Sequence, residues 1–462
     1  MFKLLNRLRL WAGVDRPVFY ASVGRVWSLV SGPLTILLVA RCFTTKEQGY
    51  YYTFASVLAL QVFLELGFSQ CVTQFASHEF AHLRFLPGGA LEGPARARAR
   101  LISLGRLSLK WYGVISLLVV AGLGAGGHWF FTVRHDPSVA WSRPWWCLCF
   151  TTGLTLALSP VGALLEGCNQ LAFLYGLRAL SAIVASFVLW TALGSGAGLF
   201  AGSIMMLASV LATAVAYALR WRGFLAELGR PPKEESISWR REIWPFQWRI
   251  AISGISGYFV FYFFVPVLFY FQSPVIAGQM GMTLQLVNGL SLLAFAWTGT
   301  KGPRYGILIG RREYGELDRL FFKATTQAVG VSVIGGALLL AGLVFVRGHF
   351  LIGARFLDAG PAALLVLASI VNQVIFGQAV YLRAHKQEPF MWVSLSNGLA
   401  TGGLVVVLGR SYGAWGVCLA YTLVQIAMLA WATALWKRCR RIWHQPGGLH
   451  SPYDEPKVSG VC

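Results

Sequence analysis

The chain has 462 residues, of which 56% are hydrophobic and only 12% are charged, and its formal net charge is +21. An ordinary soluble domain devotes about 25% of its residues to Asp, Glu, Lys and Arg. The composition therefore excludes a soluble globular protein and is typical of a chain that crosses a membrane many times.

Long apolar segments recur along the whole chain. A bilayer core about 30 Å thick needs about 20 mostly apolar residues for each helical crossing, and a membrane strand would instead alternate apolar and polar residues. The sequence predicts an all-α polytopic membrane protein of about twelve transmembrane helices in two six-helix bundles. In chain order the predicted helices are Val18–Ala40, Gly49–Val72, Leu109–Val133, Trp145–Leu165, Leu171–Leu193, Gly198–Leu219, Ile250–Phe271, Val275–Trp297, Ala324–Val346, Pro361–Leu382, Phe390–Leu408 and Gly413–Trp436.

The segments outside these helices divide the chain into domains. Residues 1–17 carry basic residues among leucines but no apolar core with a cleavage site, so we expect an amphipathic surface helix and no signal peptide. The polar run RPPKEES lies in a central linker, 221–249, between the amino-terminal bundle, 18–220, and the carboxy-terminal bundle, 250–436. A basic tail, 437–462, follows.

The positive charge is distributed unevenly between the two sides of the membrane. If the amino terminus is cytoplasmic, 30 Lys and Arg residues fall in cytoplasmic segments and only 7 in outer segments. Cytoplasmic loops of membrane proteins carry such an excess of basic residues. The sequence therefore predicts a multi-pass protein of the cytoplasmic membrane with both termini inside, and the basicity does not require a nucleic-acid partner.

The two halves begin in a similar way. In the first half a helix containing Pro33 leads to TTKEQG (Thr44–Gly49), and in the second a helix containing Pro266 leads to SPVIAG (Ser273–Gly278). Proline inside a helix removes a hydrogen bond and kinks it, and matching interruptions in two halves point to a pathway between repeats. We therefore predict helix kinks at both prolines and a parallel repeat of six helices.

The stretch RVWSLVSGPLTILLVARCFTTKEQGYYYTFASVLALQVFLELGF resembles the start of the O-antigen type of polysaccharide biosynthesis flippases. These belong to the multidrug/oligosaccharidyl-lipid/polysaccharide exporter superfamily, and their second helix follows a turn of hydroxyl, acidic, Gly and aromatic residues. Here those residues are Thr45, Glu47, Gly49 and Tyr50, and the resemblance covers about residues 20 to 75. It implies two bundles around a central cavity that flips saccharides linked to undecaprenyl diphosphate outward by alternating access.

Arg25, Glu65 and Arg178 lie well inside predicted helices of the first half, and Glu166 closes the fourth helix. A charge at the helix centre costs about 2.5–3.5 kcal/mol on insertion scales, so each needs a partner or water. In one interpretation the two arginines bind a diphosphate headgroup in a hydrated cavity. In the other, Arg25 with Glu65 and Glu166 with Arg178 are structural ion pairs. Amides in the second half either line a saccharide path or join helices.

His78, Glu79 and His82 match the HExxH pattern of zinc hydrolases. A hydrolytic site needs a third ligand, and an acidic candidate, Asp358, falls on the predicted outer side of the membrane. We therefore expect a solvated start to the basic loop at this motif, with no metal and no enzymatic function.

Together these features predict a monomeric flippase for a lipid-linked oligosaccharide, with the saccharide carrier and membrane lipids as partners. Its pathway would be O-antigen, lipopolysaccharide or other polysaccharide biosynthesis. No cofactor is expected except a possible coupling ion, H⁺ or Na⁺. The alternative is an ion-coupled exporter of drugs or small cations from the same superfamily, which would keep a carboxylate such as Glu65 in its cavity.

Overall fold

The computed structural model describes residues 16–134, 136–230, 237–385 and 389–444. The predicted surface helix at 1–17 lies outside these ranges apart from its last two residues, as does the basic tail beyond residue 444. The chain divides into two compact units, Met1–Ile255 and Ser256–Cys462.

In its described residues the first unit is helical except for one short hairpin. The elements are α1 Arg16–Cys42, α2 Thr45–Leu58, α3 Val62–Glu65, α4 Phe68–Phe80, β1 Arg84–Phe85, β2 Leu91–Glu92, α5 Ala95–Leu118, α6 Gly124–Val133, α7 Ser142–Gly167, α8 Leu171–Gly194, α9 Phe200–Arg220 and α10 Arg222–Gly229. A 3₁₀ turn, Ala59–Gln61, joins α2 to α3, and a π-helical turn, Val119–Leu123, joins α5 to α6. In the hairpin β1 and β2 are antiparallel, with Arg84 opposite Glu92 and Phe85 opposite Leu91.

The second unit begins within a helix. A π-helical turn, Trp239–Ile243, precedes α11, Trp244–Phe261, and α11 crosses the boundary between the units. The remaining elements are α12 Phe264–Phe271, α13 Pro274–Gly299, α14 Gly302–Gly310, α15 Tyr314–His349, α16 Ala359–Ala384 and α17 Met391–Trp443.

The spans account for the predicted fold class. In the described residues nine helices are long and apolar enough to cross a membrane, and two bent helix pairs bring the number to eleven. The longest, α17, has 53 residues, or about 80 Å at 1.5 Å per residue, which is more than twice the bilayer core. Its backbone breaks at Gly413, between the last two predicted helices, so α17 holds two spans. The prediction of an all-α polytopic fold is confirmed.

The break in α17 is a tight reversal of the chain. Gly413 has φ 58° and ψ −137°, a conformation that side chains with a Cβ rarely adopt. A Cβ on Gly416 would overlap the carbonyl of Leu408, and one on Gly409 would lie 2.8 Å from the Val417 side chain. Three glycines therefore allow two spans to fold back on each other almost without a loop.

The segment predicted as a linker, 221–249, contains ordered structure. Trp221, Phe224 and Leu228 are buried in the same hydrophobic core as α4, α5 and α7. Phe85 of the hairpin packs edge-on against Trp221 and Phe224. Aromatic packing thus makes the start of this segment part of the core of the first unit.

A bend between α3 and α4 was not predicted from the sequence. The two helices meet at 48°, and both Leu66 and Gly67 have left-handed backbone conformations. A Cβ on Gly67 would overlap the side chain of Ile250. Close packing of Ile250 and the positive φ of 64° together require glycine here.

Gly67→Ala is therefore expected to lower the free energy of unfolding by about 1–3 kcal/mol, because it adds backbone strain and overpacking at one site. Unfolding in mixed micelles titrated with SDS would measure it. Gly113→Ala is the control, since Gly113 lies within α5 and a Cβ there meets nothing within 4 Å. Equal stability of both variants would contradict the strain at Gly67.

The two turn motifs that open the second span of each half have the same structural role. Thr44 caps α2, where the Glu47 amide donates to its hydroxyl at 3.2 Å and its own amide donates to the Glu47 carboxylate at 2.8 Å. Ser273 caps α13, accepting from the Ile276 amide at 3.3 Å. The acidic residue of the flippase-like turn is thus part of a capping box.

In each unit the first span packs alongside the fifth in the same direction. Small residues allow close approach in both seams, as in many membrane helix pairs. In the first unit the contacts between α1 and α8 are Tyr20 with Gly176, Gly24 with Ala179, Trp27 with Ser186 and Thr35 with Trp190. In the second, Ser256 contacts Gly398, Phe259 contacts Gly402 and Val267 contacts Gly409. Both halves therefore repeat one arrangement.

Candidate substrate site

Glu166 and Arg178 form an ion pair at the turn between α7 and α8. The Arg178 Nη2 atom donates to Glu166 Oε2 at 2.8 Å. The turn includes Asn169 in a left-handed conformation, which brings the start of α8 back towards the end of α7. The Arg178 side chain nevertheless remains 57% exposed and lies over the Tyr175 ring. Its pairing leaves room for a second anionic ligand.

Glu65 has a different partner from Arg25, the one that the sequence suggested. It accepts a hydrogen bond of 2.6 Å from the hydroxyl of Tyr112, a fully buried residue of α5. Glu65 closes α3 immediately before the bend at Leu66 and Gly67. The structure does not bring Arg25 and Glu65 together as an ion pair.

Arg25 is exposed on α1 and has no ion-pair partner in the ranges of the chain that the structure covers. The apolar residues beside it are exposed as well, with Val26 at 61% and Leu29 at 39%. By the count from Val18, Arg25 lies about 10 Å into the span. An unpaired guanidinium at that depth is stable only where water or an anion reaches it.

Arg25 and Arg178 lie on the same side of the seam between α1 and α8. A Cβ on Gly24 would lie 3.7 Å from the Cβ of Ala179, so these two residues face each other. Arg25 follows Gly24, so its side chain is rotated by about 100° around the axis of α1. Arg178 precedes Ala179, so its side chain is rotated by about 100° in the opposite sense around the axis of α8. Because the helices are parallel, both turns point to one side, at one depth. The two arginines can therefore act on one ligand.

The equivalent place in the second unit is neutral. Ser256 and Gly398 face each other there, so Gly257 and Asn397 take the flanking positions. The Asn397 side-chain oxygen accepts from Gln425 at 3.0 Å and from Thr401 at 3.1 Å. In the two equivalent seams the cationic side chains therefore belong to the first unit.

Three amides of the second unit join helices. Asn372 donates to the Tyr421 hydroxyl at 2.6 Å, Gln373 to the Ser291 carbonyl at 3.0 Å, and Gln378 to the Thr433 hydroxyl at 2.9 Å. The interpretation of these three amides as bonds between helices is supported by this geometry.

The two prolines lie in different surroundings. Pro266 follows a 49° bend between α11 and α12, and it cannot donate to the carbonyl of Tyr262, which lies four residues earlier at the bend. α1 instead continues as one helix through Pro33. The sharp bend in the first unit is at Gly67, on the second span rather than the first.

The HExxH residues do not share one helical face. α4 ends at Phe80, so His82 lies in the following turn, and both His78 and His82 are exposed. Glu79 is paired with Arg100 at 2.8 Å. No group of three or more possible metal-binding side chains occurs in the described part of the chain.

A charged cluster that was not foreseen surrounds Glu79. Arg100 donates from Nε to Glu79 and from Nη2 to Glu242, at 2.8 and 2.6 Å. The Ser238 amide donates to the other oxygen of Glu242 at 2.9 Å. The Arg100 side chain is only 18% exposed. This cluster joins the end of α4, the start of α5 and the turn that opens α11.

No protein-family profile and no curated protein matches the sequence. Solved transporters do match the fold. An inward-facing multidrug resistance MATE family transporter of the MOP superfamily has a TM-score of 0.62 at 12% identity, covering 89% of this chain and 96% of that chain. The MATE multidrug transporter DinF-BH gives 0.60 at 15%, covering 96% and 97%. Lipid II flippase MurJ, inward closed, gives 0.58 at 13%, covering 90% and 87%.

The chain therefore shares its fold with these transporters. MATE transporters and a lipid flippase both have this fold.

Proposed function

We propose that the protein is a flippase that carries a lipid-linked oligosaccharide across the cytoplasmic membrane by alternating access. The observation that supports this most is the placement of Arg25 and Arg178 on one side of the α1–α8 seam. Guanidinium groups bind phosphate oxygens in a bidentate geometry, so two of them at one depth suit a diphosphate. A lipid diphosphate would enter with its phosphates at this level and its saccharide in water.

The alternative, export of a drug or small cation, needs a carboxylate that is free to bind the cation. Glu65 accepts a hydrogen bond from Tyr112, and Glu166 is paired with Arg178. Arg25, in contrast, has no ion-pair partner in the described ranges. The charges around the seam therefore favour an anionic ligand.

Several further features belong to the same proposal. The 30 basic residues on the predicted inner side favour cytoplasmic termini and a cytoplasmic loading side. The carrier would be undecaprenyl diphosphate and the product an O-antigen or related surface polysaccharide. The protein would act as a monomer, with H⁺ or Na⁺ as the coupling ion.

Binding of undecaprenyl diphosphate to the purified protein in detergent tests the site. Glu166→Gln is expected to tighten binding about two- to fivefold, because it releases Arg178 from an exposed ion pair that is worth about 0.2–1 kcal/mol. Arg178→Gln is expected to weaken binding about tenfold. A pair with only a structural role would show unchanged affinity in both variants.

Glu92→Gln is the matched control for this titration. Glu92 also pairs with an arginine, Arg84 at 2.7 Å, but it lies in the exposed hairpin. Affinity in this variant should equal that of the wild type. An equal gain in Glu92→Gln and Glu166→Gln would mean that net charge acts alone, and this would contradict the proposed site.

A further inference from the structure

A recess lies where α1 and α8 begin and α9 ends. It encloses about 380 Å³ and is lined by residues that include Arg16, Tyr20, Phe173, Leu177, Leu180 and Ala216. All of these residues belong to the first unit.

This recess is separate from the proposed substrate site. Arg16 and Arg25 are nine residues apart on α1, which turns the helix by about 900°, or two and a half turns. The two side chains therefore leave α1 in opposite directions. Phe173 and Leu180 are likewise turned about 140–160° away from Arg178 on α8. The recess and the two arginines of the seam lie on opposite sides of the same helix pair.

The floor of the recess is apolar. Phe173, Leu177 and Leu180 are spaced at i, i+4 and i+7, so they form one stripe along α8. Leu180 is 38% exposed. On α9, Val215 and Leu219 lie outside the lining but near Ala216, and they are exposed at 54% and 78%. Such a continuous apolar surface on a spanning helix suits an acyl chain.

The rim of the recess is cationic. Arg16 lies one turn before Tyr20 on α1, and Arg220 lies one turn after Ala216 on the same face of α9. In the parts of the chain that are described, neither arginine has a carboxylate partner, and Arg220 rests over the Trp221 ring. The Tyr20 hydroxyl also has no hydrogen-bond partner there. Arg16 and Tyr20 line the recess, and Arg220 lies one turn beyond the lining residue Ala216 at the end of α9.

We propose that this recess binds one anionic phospholipid of the membrane leaflet on that side. Arg16 and Arg220 hold its phosphate at the rim, with Tyr20 as a further donor, and one acyl chain lies along Phe173, Leu177 and Leu180. Charge complementarity selects this occupant: an apolar floor under a cationic rim matches an amphiphile with a negative headgroup. The site does not depend on the identity of the transported substrate.

Native mass spectrometry of the full chain, released from micelles containing equal phosphatidylglycerol and phosphatidylcholine, tests the proposal. The wild type is expected to retain one phosphatidylglycerol at least about fivefold more often than phosphatidylcholine. Arg16→Gln with Arg220→Gln should reduce this preference to less than about twofold, since both cations that distinguish an anionic headgroup from a zwitterionic one are then removed. Arg222→Gln, the neighbouring exposed arginine on α10, should keep the preference.

A second variant separates the apolar floor from the charges. Leu177→Trp fills the recess and should abolish retention of the lipid although both arginines remain. Arg25→Ala should leave retention unchanged, so failure of this proposal is distinguishable from failure of the flippase function. Equal retention of the two lipids by the wild type, or an undiminished preference in the double variant, would overturn the proposal. The proposal would also be overturned if the wild type retained a second copy of the chain instead of the lipid and Leu177→Trp abolished that dimer.

Discussion

Arg25→Glu is expected to reduce flipping of a fluorescent undecaprenyl-diphosphate saccharide in proteoliposomes at least about 100-fold. The substitution replaces an unpaired cation at the α1–α8 seam with an anion, so attraction of the diphosphate becomes repulsion. A charge-assisted hydrogen bond contributes about 1.5–3 kcal/mol, and each 1.4 kcal/mol is a factor of ten. Reduction of the label from outside the vesicles would measure the rate.

The control for this experiment is Arg41→Glu. Arg41 is also exposed on α1, in its last turn at the opposite end of the span. The same change in net charge there should alter flipping less than about twofold. Wild-type flipping in Arg25→Glu, with equal amounts of reconstituted protein, would remove Arg25 from the headgroup site.

Arg100→Met is expected to lower the free energy of unfolding by about 2–4 kcal/mol. Removing Arg100 leaves Glu79 and Glu242, which are only 16% and 32% exposed, as two neighbouring anions without their shared cation. Breaking a buried ion pair on one side commonly costs about 3–5 kcal/mol, and partial exposure reduces that cost. SDS titration in mixed micelles would measure the loss.

Lys110→Met on the same helix is the matched control, because Lys110 is exposed and has no ion-pair partner among the residues that the structure includes. Its stability should stay within about 0.5 kcal/mol of the wild type. Adding Glu79→Gln and Glu242→Gln to Arg100→Met should restore part of the loss, since no carboxylate is then left unpaired. A loss that does not recover would show that side-chain packing, and not charge, makes Arg100 important.

The spans could be predicted from the sequence because hydropathy reports directly on the solvent that surrounds a helix. The bend at Leu66 and Gly67 could not, since leucine does not favour a left-handed backbone on its own. There, packing of Ile250 against Gly67 is specified by a residue far along the chain. The existence of a membrane span is therefore easier to predict from the sequence than a bend within it.

The candidate site divides in a similar way. Only the short connection between α7 and α8 separates Glu166 from Arg178. Their contact could therefore be predicted from the length of the arginine side chain alone. For Arg25 and Glu65 the sequence gives depth in the membrane, but the direction of each side chain depends on which helices pack together. Glu79 shows the same limit, because its partner Arg100 lies on another helix and the sequence indicated a solvated residue at the start of the basic loop.

The reversal at Gly413 bears on how the polypeptide enters the bilayer during synthesis. Between the two spans of α17 only a few residues around Arg410 and Tyr412 remain, too few to cross the insertion machinery as an independent hydrophilic loop. Each span alone would also expose to lipid the glycines that it packs against the other span. We therefore expect the final two spans to enter the bilayer together, as a helical hairpin.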